Sequence, residues 1–374
     1  MTRQELQDLA SEGPIVVVNI SDIRSDAVVV TRSGIQSIFL ADLTRTEVMA
    51  WLREGLTVFT PHETPVDRGK KNKRYIHFLH WLWEKCVRQV LLVVYQSVNL
   101  TSGSLPRIWW IGVGVASSLP FHAAGDHSDG SSDNTLSWAI SSYTPTIKAL
   151  AHARGRRSTL GRDRTTKPHL LMVSMPTTPG ERALPGVTQE ICAIQEATST
   201  AFSHESLVHT DARSVLARLE HCDMVHFACH GTSDALGPFN SSLSLQHDPS
   251  EAATVDPLSV QQVSNANLGR ASIAYLSACS TAENRAVRMM DEVIHLASGF
   301  QVAGFGHVVA AMWPSVDAAC VEMATGFYGQ LKDGLGERDT DRAVAEAVHK
   351  ATMQVRSRLR RIPLSWAPYI HFGA

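Results

Sequence analysis

The sequence predicts an α/β fold whose mainly parallel sheet is covered by helices on both faces. Three observations predict it. Apolar runs of strand length alternate with amphipathic helical stretches, most regularly from residue 168 onward. Of the 374 residues, 44% are hydrophobic and 19% charged, enough apolar material for a large buried core. No repeat of roughly 20 to 50 residues is present, which removes solenoid architectures. The 34 basic and 36 acidic side chains leave a formal charge of −2, whereas nucleic-acid binding needs a basic excess to neutralise phosphates.

The chain opens on a β-rich lead-in, residues 1–74. Residues 14–20, 27–31 and 35–40 are short β-rich runs separated by Ser, Asp and Gly, with Ser33-Gly34 as a hairpin turn. A basic loop, 68–74, precedes an apolar helix or helix-plus-strand over 75–95, where Leu79, Trp83 and Val87 recur one turn apart. Residues 107–115 read as a buried strand, 124–134 as a Gly-, Ser- and Asp-rich loop, and the stretch to about 152 as helical. Residues 154–167 are loop-like and basic, with six Arg or Lys and one Asp.

The α/β rhythm then becomes regular. Strands are expected at 168–174, 206–209, 223–229, 273–278, 307–312 and 367–372. Between them fall helices after Leu184-Pro185-Gly186 and at 211–221, 289–301, 317–331 and 340–359, with Asp211 as an N-cap. The 24 residues between Glu292 and Asp317 carry no Asp, Glu, Lys or Arg, long enough to imitate a membrane span. Gly299, Gly304, Gly306 and Pro314 interrupt them, so a helix, a turn and a buried strand are expected instead.

The amino terminus has no apolar run of signal-peptide length, and six scattered cysteines form no C-x-x-C pair. Reduced thiols in a cytoplasmic protein are the expectation.

Two strands end in reactive side chains: 223–229 runs into His230-Gly231, and 273–278 runs into Cys279-Ser280. The 40 residues between Gly231 and Ser272 allow a crossover, so the strands can be parallel neighbours with both groups at one sheet edge. In open α/β sheets, that carboxyl-terminal edge is where ligands bind. An imidazole beside a thiol raises its thiolate fraction and can later protonate a leaving amine. The N–H groups of Gly231 and Cys279 are candidates for an oxyanion hole. The plainer alternative is that Cys279 fills the core, as cysteines at strand ends commonly do.

His221, Cys222, His226, Cys229 and His230 crowd together as if to bind zinc. Along a strand rising about 3.3 Å per residue they spread too far to share one ion, so no metal is expected. G-x-S-x-G, G-x-x-x-x-G-K and H-E-x-x-H are all absent, and Gly112-Val-Gly114 lacks the third glycine of a dinucleotide loop. No cofactor is expected.

Ordered segments of this chain resemble the CHAT family of caspase-like domains, usually found behind tetratricopeptide repeats and related to the caspase and separase group. They include Ser118-Leu-Pro-Phe-His-Ala, Leu184-Pro-Gly-Val, His226-Phe-Ala-Cys-His-Gly, Ser242-Leu-Ser-Leu, Leu276-Ser-Ala-Cys-Ser, Met312-Trp-Pro-Ser-Val-Asp and Trp366-Ala-Pro-Tyr-Ile-His-Phe-Gly. The resemblance implies a three-layer αβα sandwich over residues 75–374. It implies an intracellular cysteine endopeptidase with His230 as general base and Cys279 as nucleophile, acting without a metal in a regulated signalling or stress- and immune-type response. Its implied partners are a protein or peptide substrate and a repeat-containing or sensor protein that activates it, with no nucleic acid and no membrane.

Departures from the family are the missing repeats and Ser280-Thr281 where many relatives carry Glu-Thr. Asp234, Glu283, Asp291 and Asp317 are candidates for a pocket selecting a basic P1 side chain, or are ordinary loop and helix-cap residues. The basic segments 68–74 and 154–167 are either solvated or sites of self-cleavage. Two rivals remain: a non-catalytic caspase-like scaffold or interaction module, and acyl transfer to an amine.

Overall fold

The computed structural model describes the chain apart from residues 59–62, 99–102, 156–166, 233–239, 248–253, 267, 278–295 and 336–339. Two compact units are present, one formed by Met1–Ile147 with Arg356–Ala367, the other by most of 148–355 with Pro368–Ala374.

The first unit is built on five strands: β1 (Ile15–Ile20), β2 (Ser25–Thr31), β3 (Gly34–Phe39), β4 (Arg107–Val113) and β5 (Ile140–Tyr143), in the order β3-β2-β1-β4-β5. The expected lead-in is an antiparallel β1-β2-β3 meander, and its second hairpin turns at Arg32-Ser33, one residue before the expected Ser33-Gly34, because Gly34 already pairs with Thr31. It is joined through β1 to β4, a parallel pair with Ile15 beside Trp109. Residues 75–95 are helical throughout, and the helix begins earlier, at Pro65–Leu82. Thr64 and Asp67 form a capping box there, with Pro65 at the first helical position. The basic run 68–74 is therefore two turns of helix and not a loop, and an ordered helix is a poor protease site. The helical stretch expected up to 152 contains β5, whose four residues are too few to show a period of two.

Two histidines are buried in this unit. His122 Nδ1 lies 2.8 Å from the Tyr143 hydroxyl and Nε2 lies 2.9 Å from the Ala367 carbonyl. His127 meets the Ala123 carbonyl through Nε2 at 2.8 Å, while its Nδ1 accepts from Arg356 Nε at 2.9 Å.

In the second unit, β6 (His169–Ser174), β7 (Ser203–Val208), β8 (Met224–Ala228), β12 (Ile273–Ser277), β13 (His307–Ala311) and β14 (Tyr369–Gly373) form one sheet, ordered β14-β13-β12-β8-β6-β7. All neighbours are parallel except β13 and β14. Every residue of β8 and of β13 is buried. Since alternate side chains point to opposite faces, both faces of these strands are covered, as the continuous apolar runs require.

The expected long connection after β8 folds into a second, antiparallel sheet: β9 (His230–Thr232), β10 (Ser242–Gln246) and β11 (Val255–Ser259), with β10 in the middle. Pro257 lies on the edge strand β11, where a missing N–H is tolerated. The charge-free stretch before Asp317 divides into a helix, Leu296–Ala303, a turn at Gly304 with φ +127°, and β13. No helix of the described residues is long and apolar enough to cross a membrane.

Candidate functional site

The site is set by the pairing of β8 with β12. The two strands are parallel neighbours in a register that places Met224 beside Ile273 and Ala228 beside Ser277. Because β13 flanks β12 in parallel, three carboxyl ends meet at one edge: Ala228, Ser277 and Ala311. Cys229 is buried at that edge, and the chain then turns into β9. His230 therefore starts the small second sheet, opposite Ser244, instead of prolonging β8.

The His230 side chain is 17% exposed. Its Nε2 lies 2.6 Å from the Arg182 carbonyl, and its Nδ1 lies 3.3 Å from Glu181 Oε2. Both ring nitrogens thus face the segment that leads into the helix Gly186–Thr198. Gly231 pairs with Leu243 in the second sheet.

Asp317 opens the helix Asp317–Gly334, and its Oδ2 accepts from the Gly186 N–H at 3.2 Å. A Cβ at Gly186 would stand 2.6 Å from Asp317 Cβ, so the missing side chain permits this approach. Among the predicted site residues, the structure thus describes His230, Gly231 and Asp317. Cys279, Asp234, Glu283 and Asp291 lie outside the described residues.

A cleft of about 50 Å³ opens at the same edge. Cys229, Ser277 and Ala311 line it from the strand ends, Leu184 and Val187 from the helix start, and Trp313 and Tyr369 from other elements. Glu190 and Asp317 supply its two carboxylates. Glu190 is only 3% exposed. His226 Nε2 stands 3.2 Å from Glu190 Oε1 but out of hydrogen-bonding alignment. Behind it, the Tyr275 ring stacks on His226 at 4.9 Å, and the Tyr328 hydroxyl lies 3.4 Å from His226 Nδ1. Burial, with the Glu190 charge beside them, pushes both tyrosine hydroxyls well above their ordinary range, so they stay protonated.

Two residues of this site, Glu181 and Glu190, escaped the sequence reading. For Glu190 a signal existed. Val187, Glu190, Ile191 and Ile194 fall on one helix face, and all are buried, so a carboxylate sits in an apolar stripe. Nothing local marks Glu181, which reaches His230 across 49 positions of chain. Elsewhere, burial pushes the thiols of Cys86 and Cys222 up to about 12, which leaves them unreactive. Among the described residues, no three His, Cys, Asp or Glu side chains are grouped to hold a metal ion.

A family profile described as the CHAT domain matches residues 77–374. No curated protein matches the chain. A chain of the Saccharomyces cerevisiae separase–securin complex is similar in structure, with a TM-score of 0.63 and 10% identity, covering 99% of this chain and 31% of that one. The Arg-specific cysteine proteinase gingipain R is also similar, with a TM-score of 0.51 and 9% identity, covering 97% of this chain and 77% of that one. At such identities the likeness is one of fold, a caspase-like α/β arrangement on a mostly parallel sheet. This chain spans under a third of the separase chain's length.

Proposed function

The chain belongs to the CHAT domain family, and from that premise we propose that it is a cysteine endopeptidase with His230 as general base and Cys279 as nucleophile. The observation that carries this reading is the register of β8 and β12. Ala228 stands beside Ser277, and His230 and Cys279 each follow two residues later in the sequence. Two neighbouring strands thus bring the residues that precede each member of the proposed dyad to one sheet edge, where His230 begins β9.

In this reading the Cys279 thiol gives its proton to His230 and the thiolate adds to the scissile carbonyl carbon. The N–H groups of Gly231 and Cys279 are the proposed donors to the oxyanion. Collapse breaks the C–N bond, and the imidazolium returns its proton to the leaving amine. Water then hydrolyses the thioester, with His230 taking its proton. Glu181, beside His230 Nδ1, favours the imidazolium that forms on the way. In the conformation described, the Arg182 carbonyl holds Nε2, so the reaction requires the ring to turn or that contact to yield.

Residues 75–374 are the proposed peptidase domain and 1–74 its accompanying lead-in, acting in the cytoplasm under a protein activator or sensor. That the separase structure is a complex with securin supports looking for a controlling protein partner. A thiol-reactive peptide inhibitor tests the dyad: it is expected to label Cys279 in the native protein and to lose that labelling in His230→Ala. Equal labelling in His230→Ala removes the dyad and leaves the scaffold reading.

A further inference from the structure

β3 is an outer strand of the first unit's sheet and lies before residues 77–374, the part that matches the CHAT profile. Its residues, Gly34-Ile-Gln-Ser-Ile-Phe39, include no charge and no proline, the devices that ordinarily keep an open edge from pairing. The ladder to β2 is regular from the Thr31–Gly34 pair to the Asp26–Phe39 pair, and the Leu40 N–H, next in line, donates to the Ser25 carbonyl at 3.0 Å. Main-chain groups alternate in direction along a strand. Gly34, Gln36 and Ile38 therefore face β2 as Leu40 does, while Ile35, Ser37 and Phe39 turn their N–H and C=O groups outward. Among the described residues, none pairs with that outer side. By contrast β7, an outer strand of the second unit's sheet, carries His204 and Glu205, and Glu205 is paired with Arg218 at 2.8 Å.

The sequence of β3 is complementary to itself. Two copies related by a two-fold axis perpendicular to the sheet run antiparallel and keep like faces together, so opposed residues must share a face. A pairing centred on Ser37 meets that condition. It sets Ser37 against Ser37 and Ile35 against Phe39, the residues whose main-chain groups point outward, so each opposed pair exchanges both of its hydrogen bonds. Centring on Gln36 instead would leave Phe39 beyond the end of the opposing strand. Ile35 with Phe39 is a β-branched–aromatic pair, a favourable combination across strands. Phe39 is 58% exposed in the single chain, with the Arg24 guanidinium over its ring at 5.0 Å, so the pairing also covers apolar surface. We propose that a second copy of this chain adds to β3 in this register, joining two lead-in meanders into one continuous sheet. This self-association is independent of the peptidase reading.

Sedimentation velocity of the full chain tests it. A single strand pair is a small interface, so the native protein is expected as a dimer at about 100 μM and as a monomer at about 1 μM. Ser37→Lys and Ser37→Glu each oppose like charges on the axis and should be monomeric at both concentrations. An equimolar mixture of the two opposes unlike charges and should restore the dimer at the higher concentration. Ser37 is exposed, so both variants should keep the native urea midpoint, which separates lost pairing from lost fold. Hydrogen exchange needs no variant: amides of residues 34–39 in the native protein should exchange more slowly at the higher concentration than at the lower. A native protein that stays monomeric at about 100 μM overturns the proposal, as does exchange that is equal at the two concentrations. A dimer that persists in Ser37→Lys overturns it too, and so does a mixture of the two folded variants that remains monomeric.

Discussion

His122 and His127 make the first unit sensitive to acid, and their surroundings set the size of the effect. Burial lowers each imidazole from 6.5 to about 4. In both, the hydrogen bonds fit a neutral ring: His122 meets a hydroxyl and a carbonyl, and His127 uses one nitrogen to accept from Arg356. An unfolded histidine takes up its proton as pH falls through 6.5, while these folded ones resist until about 4. Between those values the unfolded chain binds more protons, so stability is complete above 6.5 and drains away on acidification. At pH 5 the loss is about 2 kcal/mol per ring, roughly 4 for the pair. With a denaturant slope of about 2 kcal/mol per molar, the urea midpoint of this unit should fall by about 2 M between pH 7.5 and 5. His127→Gln, which keeps an acceptor for Arg356 but cannot titrate, should recover about half of that shift. A midpoint that moves by less than about 0.5 M, or a His127→Gln protein with the native pH slope, would refute the reasoning.

Three further outcomes are expected. Glu181→Gln should slow labelling of Cys279 by about fivefold, since a partly exposed His–carboxylate pair is worth about 1 kcal/mol; an unaltered rate removes Glu181 from the site. Gly299→Ala would place a Cβ 2.3 Å from Val260 Cγ1 and should cost about 1–3 kcal/mol in urea denaturation, part of which Val260→Ala restores. In native thiol titration Cys192, which is exposed, should react at once, while Cys86 and Cys222 react only after unfolding. Reaction of either buried thiol in the native state would contradict their placement.

The parts of the fold legible in the sequence were those with a strong local signal. β6, β8, β12 and β13 are continuous apolar runs because they are buried on both faces, and such runs need no periodicity to be noticed. The spacing between β8 and β12 allowed the parallel crossover that the register shows. The second sheet was missed because its strands are three to five residues long and mix Ser, Thr and Pro with Leu. That omission also misplaced the path of His230, which begins β9 instead of ending β8. Residues 68–74 look like a loop because their basic side chains mask the helix that the Thr64–Asp67 capping box and Pro65 begin just before them. At the site, Glu190 could have been found from its place in an apolar stripe. Glu181 could not, because its meeting with His230 is made by tertiary packing alone.

A map of new protein termini, made in cells carrying either the native protein or Cys279→Ala, tests the central claim most directly. An endopeptidase that acts through Cys279 predicts a set of termini present with the native protein and absent with Cys279→Ala. Identical maps under conditions where the native protein exerts its biological effect would contradict it.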